Sequence, residues 1–256
     1  MTDPRAPRGA VVVTGAATGI GLEVVREQLR RGYRVWGIGL DAAEAEAFRS
    51  DHAEAPFEFL ETDITNEAAV ALAFETIARG PSAVVGIVNC TGIYPPPARI
   101  EDTSLDSWRR VLQVNLDGTF LVCRSALPVL RDAGGGAIVN IASVHAIAAA
   151  PGQPAYAASK AAIVALTRQI AVDYVGDRIR ANCILAGAVD TRITRAAIAE
   201  AGSPEALSLT FDETALGRIG SALEIAQIVA FLLGPDSQFI NGSAVTADAG
   251  MTARIL

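Results

Sequence analysis

The sequence predicts a single α/β domain over residues 1–256, built on a doubly wound parallel sheet of about seven strands with helices on both faces. Three observations predict it. Short apolar runs rich in β-branched residues alternate with longer segments of helical period. Charges or glycines interrupt every apolar run before it reaches the length of a membrane span. No repeat or low-complexity block divides the chain, and its Pro/Gly stretches (Tyr94–Pro97, Gly134–Gly136, Pro151–Pro154) are loop-sized.

In chain order, the first strand, Ala10–Val13, leads through a glycine turn into a helix over Leu22–Arg31. Strands Arg34–Ile38 and Phe57–Leu60 follow, then helix Glu67–Arg79 and strand Ala83–Val88. A long helix over Trp108–Leu130 precedes strand Ala137–Ile141, and helix Tyr156–Val175 precedes strand Arg180–Ile184. Helix Leu223–Leu233 and strand Ala244–Thr246 close the pattern. The strands are apolar along their length, which suits a sheet covered on both faces. From Asp190 to Gly217 the rhythm fails, with weak helical pattern, scattered Thr and Ser, and no strand. An excursion of that length predicts a substrate lid at 190–217; a solvent-facing helical pair is the plain alternative.

Composition excludes several function classes. The chain has 21 basic residues, of which Lys160 is the sole lysine, against 28 acidic ones, a formal charge of −7. Without a basic block no nucleic-acid surface is expected. Cys90, Cys123 and Cys183 are an odd, widely spaced set, and His52 and His145 are the only histidines, so neither a disulfide framework nor a metal site is predicted. The N-terminal stretch lacks a signal-peptide core, and a cytoplasmic protein is expected.

The run after the first strand is T-G-A-A-T-G-I-G, placing Gly15, Gly19 and Gly21 at the turn into a helix. Glycines there permit a tight turn and close approach of a pyrophosphate, whose charge the helix N-terminus favours. Gly21-Leu22 replaces the Gly-Lys of a P-loop. With its context, this turn resembles that of the short-chain dehydrogenase/reductase family, a Rossmann-fold family of the Tyr-x-x-x-Lys type, and the likeness runs nearly the whole chain. Asp63-Ile64 resembles the family's adenine-binding pair, and Asn89-Cys90-Thr91-Gly92 keeps Asn89 and Gly92 of Asn-Asn-Ala-Gly. Asn115, Ser143 and Y-A-A-S-K from Tyr156 to Lys160 match the catalytic set. Val189 and Thr191 look like the carboxamide-anchoring turn, with Ala186 in place of the usual proline. Gly242–Gly250 resembles the terminal strand, with Ala249 where a second glycine is common. The resemblance implies cofactor contacts from Gly15, Thr18, Gly19, Ile20, Gly21, Asp63, Ile64, Asn89, Gly92, Tyr156, Lys160, Val189 and Thr191.

Tyr156 and Lys160, four apart, share one face of a helix. An unperturbed phenol titrates near ~10. A unit charge at ~4 Å in an effective dielectric of about 20 contributes roughly 4 kcal/mol, or about three pKa units, which brings the phenol toward neutrality. Ser143 follows a strand at the sheet's carboxyl edge, where its hydroxyl can donate to a carbonyl oxygen gaining charge. A serine nucleophile would require a G-x-S-x-G elbow, and the local run is I-A-S-V-H. In the family Asn115 bends its helix and holds a water linking the lysine to solvent; a buried asparagine bridging backbone groups is compatible with that. Lys160 would also donate to the nicotinamide ribose, where arginine is a poor substitute. His145 could face the substrate or be a structural histidine, and Tyr94-Pro95-Pro96-Pro97 could line the pocket or form a surface loop.

The family reads the adenine ribose at the end of the second strand, where this chain has Gly39-Leu40-Asp41. Gly39 lacks the acid and Leu40 lacks the cation, but Asp41 makes the field negative, which predicts NAD over NADP. The expected activity is hydride transfer between a nicotinamide cofactor and a secondary alcohol or ketone, with Tyr156 as acid/base. A carrier-linked 3-oxoacyl reductase, with Arg178 and Arg180 as docking cations, is the alternative, and a non-catalytic NAD-binding regulator is a third reading. The resemblance also implies a homotetramer using the two long helices and the C-terminal strand.

Overall fold

The computed structural model describes residues 8–207 and 209–253. Its strands are β1 (Ala10–Thr14), β2 (Arg34–Gly39), β3 (Phe57–Glu61), β4 (Val84–Asn89), β5 (Gly136–Ile141), β6 (Ile179–Ala186) and β7 (Ala244–Ala247). They form one sheet in the order β3-β2-β1-β4-β5-β6-β7, every pairing parallel. The helices are α1 (Gly19–Arg30), α2 (Ala42–Asp51), α3 (Glu67–Ala78), α4 (Leu105–Leu112), α5 (Gly118–Asp132), α6 (Pro154–Asp173), α7 (Arg192–Ala201) and α8 (Ala222–Leu233).

Side-chain alternation explains why both faces are covered. In β1, Ala10 and Val12 join a core with residues of α3, α5 and α6, while Val11 and Val13 join a second core with α1, α2 and α8. An apolar strand of this kind is stable only between two helical layers. A polar chain crosses the interior at the C-terminal half of the sheet. Asn89 Nδ2 donates to Asn140 Oδ1 at 2.8 Å, Asn140 Nδ2 to Thr167 Oγ1 at 2.8 Å, and Thr167 Oγ1 to Ile163 O at 2.7 Å. These bonds tie β4 to β5 and β5 to α6, fixing the strands that carry the site.

The elements depart from the sequence expectation in three places. Helix α1 begins at Gly19 rather than Leu22, because glycines carry no hydrophobic signal while Thr18, in extended conformation, serves as N-cap. Helix α2 was not expected; it buries only Ala45 and Phe48. The single helix expected over Trp108–Leu130 is instead α4 and α5 joined by a π-helical turn at Gln113–Asp117. The 190–217 excursion holds α7, whose N-cap Thr191 accepts from Thr194 N–H and whose end is Gly202 at φ +88°. None of the residues of α7 is fully buried, which accounts for its weak apolar pattern.

Candidate active site

The strand order reverses between β1 and β4, and in such sheets the carboxyl ends of the two strands open a ligand crevice. Thr14, at the end of β1, is fully buried and its Oγ1 accepts from both Cys90 and Thr91 N–H at 3.0 Å, clamping the two strand ends together. The glycine turn packs against this clamp. A Cβ on Gly15 (φ +61°) would meet Thr91 at 3.3 Å, one on Gly19 (φ +53°) would meet Thr191 at 3.4 Å, and one on Gly21 would lie 2.0 Å from Gly15 O. Gly21 is therefore required by the turn itself, before any ligand is considered. Ile20 packs on the α1/α8 core and Thr18 stays at the N-cap. Beside Gly15, Thr91 Oγ1 is buried and bonded to no protein group, the kind of polar orphan that a dinucleotide phosphate or ribose would satisfy. Sequence reasoning passed over Thr14 and Thr91; the T-G and C-T-G contexts were their only signal.

The residues expected at the adenosine lie in the loops after β2 and β3. Asp63 Oδ1 accepts from Thr65 N–H at 2.9 Å and Thr65 Oγ1 at 2.8 Å, and these bonds hold its carboxyl below the ordinary range. Ile64 is buried in the core. At the other loop Asp41 lies 3.6 Å from Arg192 of α7, which also lies 3.9 Å from Glu44. The cation absent from the β2 end thus arrives from α7, where two carboxylates hold it.

The proposed catalytic side chains meet at the carboxyl ends of β4 and β5. A Cβ on Gly92 would be 3.4 Å from both Asn115 Oδ1 and Lys160 Nζ. Asn115 is fully buried in the π turn; its Oδ1 accepts from Ile93 N–H at 2.8 Å, and its Nδ2 donates to Ile93 O and Ser159 Oγ, each at 3.1 Å. The helix carrying Asn115 is interrupted there by the π turn, a feature common at functional sites. Ser143, 6 % exposed, accepts from His145 N–H at 3.2 Å and donates to Ala186 O at 3.4 Å. Val189 pairs in a bridge with Gly220, and Asp190 N–H and Gly220 N–H bond across it at 2.8 and 2.9 Å. Those bonds hold the turn that lacks proline at Ala186. Asn89, expected at the cofactor, spends its amide nitrogen on Asn140 in the sheet interior.

One expectation is corrected. Lys160 is 4 % exposed, its Nζ donates to Ile141 O at 2.9 Å and lies 5.6 Å from the Tyr156 ring centroid. Burial lowers the lysine to about 8, and it pushes the Tyr156 phenol up to about 12, with Ser143 opposing and Tyr94 adding to the rise. Desolvation therefore dominates in the protein alone, the Ser143 hydroxyl is the group that opposes it, and the phenol is neutral at neutral pH.

A family model described as Enoyl-(Acyl carrier protein) reductase matches residues 15–252. The chain is 34% identical over 247 residues to 2-(R)-hydroxypropyl-CoM dehydrogenase of Xanthobacter autotrophicus, covering 94% of this chain and 98% of that one. It belongs to the short-chain dehydrogenase/reductase family. Another such dehydrogenase, cyclopentanol dehydrogenase of Comamonas sp., is 32% identical, covering 95% of this chain and 96% of the relative. Among solved structures, levodione reductase superposes with a TM-score of 0.89 at 28% identity, covering 97% of this chain and 99% of its own. Like other members of the short-chain dehydrogenase/reductase family, the protein uses a nicotinamide cofactor. No metal-binding cluster occurs among the described residues, and no helix there is long and apolar enough to cross a membrane.

Proposed function

We propose that this protein interconverts a secondary alcohol and a ketone, with Tyr156 as acid/base, Ser143 orienting the reacting oxygen, Lys160 adjusting the phenol and holding ribose, and Asn115 supporting the proton relay. The observation that carries the reading is the convergence of Gly92, Asn115, Ser143, Tyr156 and Lys160 at the carboxyl edge of the sheet, next to the glycine turn. The nicotinamide ring, when bound, supplies or accepts the hydride. For reduction the neutral Tyr156 is ready to give its proton to the forming alkoxide while the Ser143 hydroxyl donates to the same oxygen. For oxidation the phenol must first lose its proton. The relatives named above are alcohol dehydrogenases and a ketone reductase by name, which fits this chemistry.

NAD is the proposed cofactor in preference to NADP, because Asp41 and Glu44 already occupy Arg192 and keep the adenosine end negative. Asp63, Ile64, Val189 and Thr191 complete the proposed contacts, with 190–217 as lid. A carrier-linked reductase is less favoured: Arg180 is half-buried and donates to Leu232, Gly234 and Ile240 carbonyls, which removes it as a docking cation. Exposed Phe120 on α5, Val172 on α6 and Phe239 before β7 support a homotetramer, to be read by sedimentation. Free Cys90, Cys123 and Cys183 suit a reducing cytoplasm. The test is Tyr156→Phe, which keeps NADH binding by fluorescence titration and loses at least about a hundredfold in turnover. Near-normal turnover refutes the mechanism, and tighter NADPH than NADH binding by the parent refutes the cofactor assignment.

A further inference from the structure

Three aromatic rings meet at the reactive phenol. Tyr94 stands edge-on to Tyr156 with centroids 4.7 Å apart at 74°, and His145 edge-on to Tyr156 at 5.2 Å and 84°. Tyr94 and His145 are 6.0 Å apart at 89°. Three nearly perpendicular rings make the inside corner of a box, and the electron-rich ring faces of such a corner suit the CH groups of a saturated ring.

Both outer walls are braced against the catalytic elements. The backbone N–H of His145 donates to Ser143 Oγ, so the turn that carries the imidazole is tied to the serine. Gln153, 4 % exposed and immediately before α6, donates its Nε2 to Pro95 O at 3.1 Å. Ala98 N–H donates to Gly152 O at 2.9 Å. The Tyr94 loop is thereby pinned to the start of the helix that carries Tyr156. His145 Nδ1 is bonded to no protein group and is closed to solvent in this ring arrangement, so a substrate oxygen reaches it once the imidazole turns toward the corner, which would satisfy an unpartnered polar atom.

The corner is also uncharged. Burial lowers His145 below an ordinary histidine and raises Tyr94 above an ordinary phenol, so both are neutral near neutral pH. Arg99, five residues along the chain from Tyr94, is already paired with Glu101, and in the 190–217 segment Arg192 is paired with Asp41 and Glu44 and Arg195 with Asp190.

We infer that Tyr94 and His145 determine specificity, that their corner seats an uncharged alicyclic alcohol, and that His145 Nδ1 bonds a second oxygen on that ring, as in a vicinal diol or hydroxyketone. The inference rests on the reading of Tyr156 given above and narrows it to a substrate class.

The experiment compares NAD-dependent oxidation of cyclohexanol, its vicinal diol, sec-butanol and lactate by the parent, His145→Phe, His145→Asn and Tyr156→Phe, with NADH affinity measured for each. The parent is expected to favour the diol over cyclohexanol by about tenfold in kcat/KM, the worth of one good hydrogen bond. His145→Phe keeps a flat ring and brings that ratio to about one with NADH affinity unchanged, and His145→Asn, which retains a polar group, recovers part of it. A parent ratio of one or less, a ratio unmoved in His145→Phe, or faster Tyr156-dependent turnover of lactate or sec-butanol than of either cyclic alcohol overturns the inference and leaves the proposed reaction standing. Absence of Tyr156-dependent turnover on all four compounds overturns the proposed reaction itself.

Discussion

Replacing Lys160 by methionine keeps an unbranched side chain and removes the only ε-amine, and the consequence for stability can be worked from the site. The amine is 4 % exposed and lowered from 10.5 to about 8 by burial. At roughly 1.4 kcal/mol per pKa unit, that depression corresponds to about 3 kcal/mol of unfavourable burial of the ammonium. Below about pH 8 folded and unfolded chains both hold the proton, and the folded state bears the whole cost. Between about 8 and 10.5 the unfolded chain still holds a proton that the folded chain has released, so folding becomes more favourable as pH rises through that window. The assay is urea unfolding of cofactor-free parent and Lys160→Met at pH ~7 and ~9. The parent should gain about 1 kcal/mol on the variant between those two pH values. Cys90 and Cys123, which burial pushes up to about 12, are present in both proteins, so their alkaline titration largely cancels in the difference. A difference that stays constant with pH, or moves the other way, refutes a buried lysine of depressed pKa.

The high phenol pKa gives a second expectation, on rate. The positive charge that an oxidised nicotinamide would bring beside Tyr156 lowers the phenol from about 12, so alcohol oxidation should accelerate from pH ~7 toward ~9 while ketone reduction does not; a flat oxidation profile under saturating cofactor argues against Tyr156 as the base. Gly21→Ala would place a methyl 2.0 Å from Gly15 O, and NADH binding should fall by at least about a hundredfold or the protein should fail to fold, read by fluorescence titration and circular dichroism; normal binding would mean that the turn is not as built. Ala249 holds a left-handed backbone at φ +50°, a conformation that costs an alanine about 1 kcal/mol, so Ala249→Gly should raise the unfolding free energy by about 0.5–1 kcal/mol in urea. A loss of stability there would contradict the strain.

The parallel sheet was legible because each strand is apolar on both faces, as Ala10–Val13 shows, and the Tyr156/Lys160 pair was legible because a spacing of four fixes a shared helix face. Other features were hidden for identifiable physical reasons. Helix α2 buries only Ala45 and Phe48, too little for a periodic signal. The π turn at Gln113–Asp117 is a shift of backbone hydrogen-bond register, which side-chain pattern does not encode. Arg192 reaches Asp41 through tertiary approach of two segments far apart in sequence. The phenol was misjudged because a charge-pair calculation in a uniform dielectric leaves out desolvation, which here depresses the lysine as well as raising the tyrosine.

A chain whose cations are arginines everywhere except at one buried position has no lysine on its surface for acylating reagents to consume. Apart from a terminal amine, the single aliphatic nitrogen nucleophile lies between Ile141 and the Tyr156 ring, and with its pKa at about 8 a large share of it is unprotonated in mildly alkaline buffer. Its rate of acylation is therefore set by how often the crevice opens. An activated ester carrying a mass tag would turn this protein into its own reporter, with label at residue 160 counting openings and bound dinucleotide slowing the count.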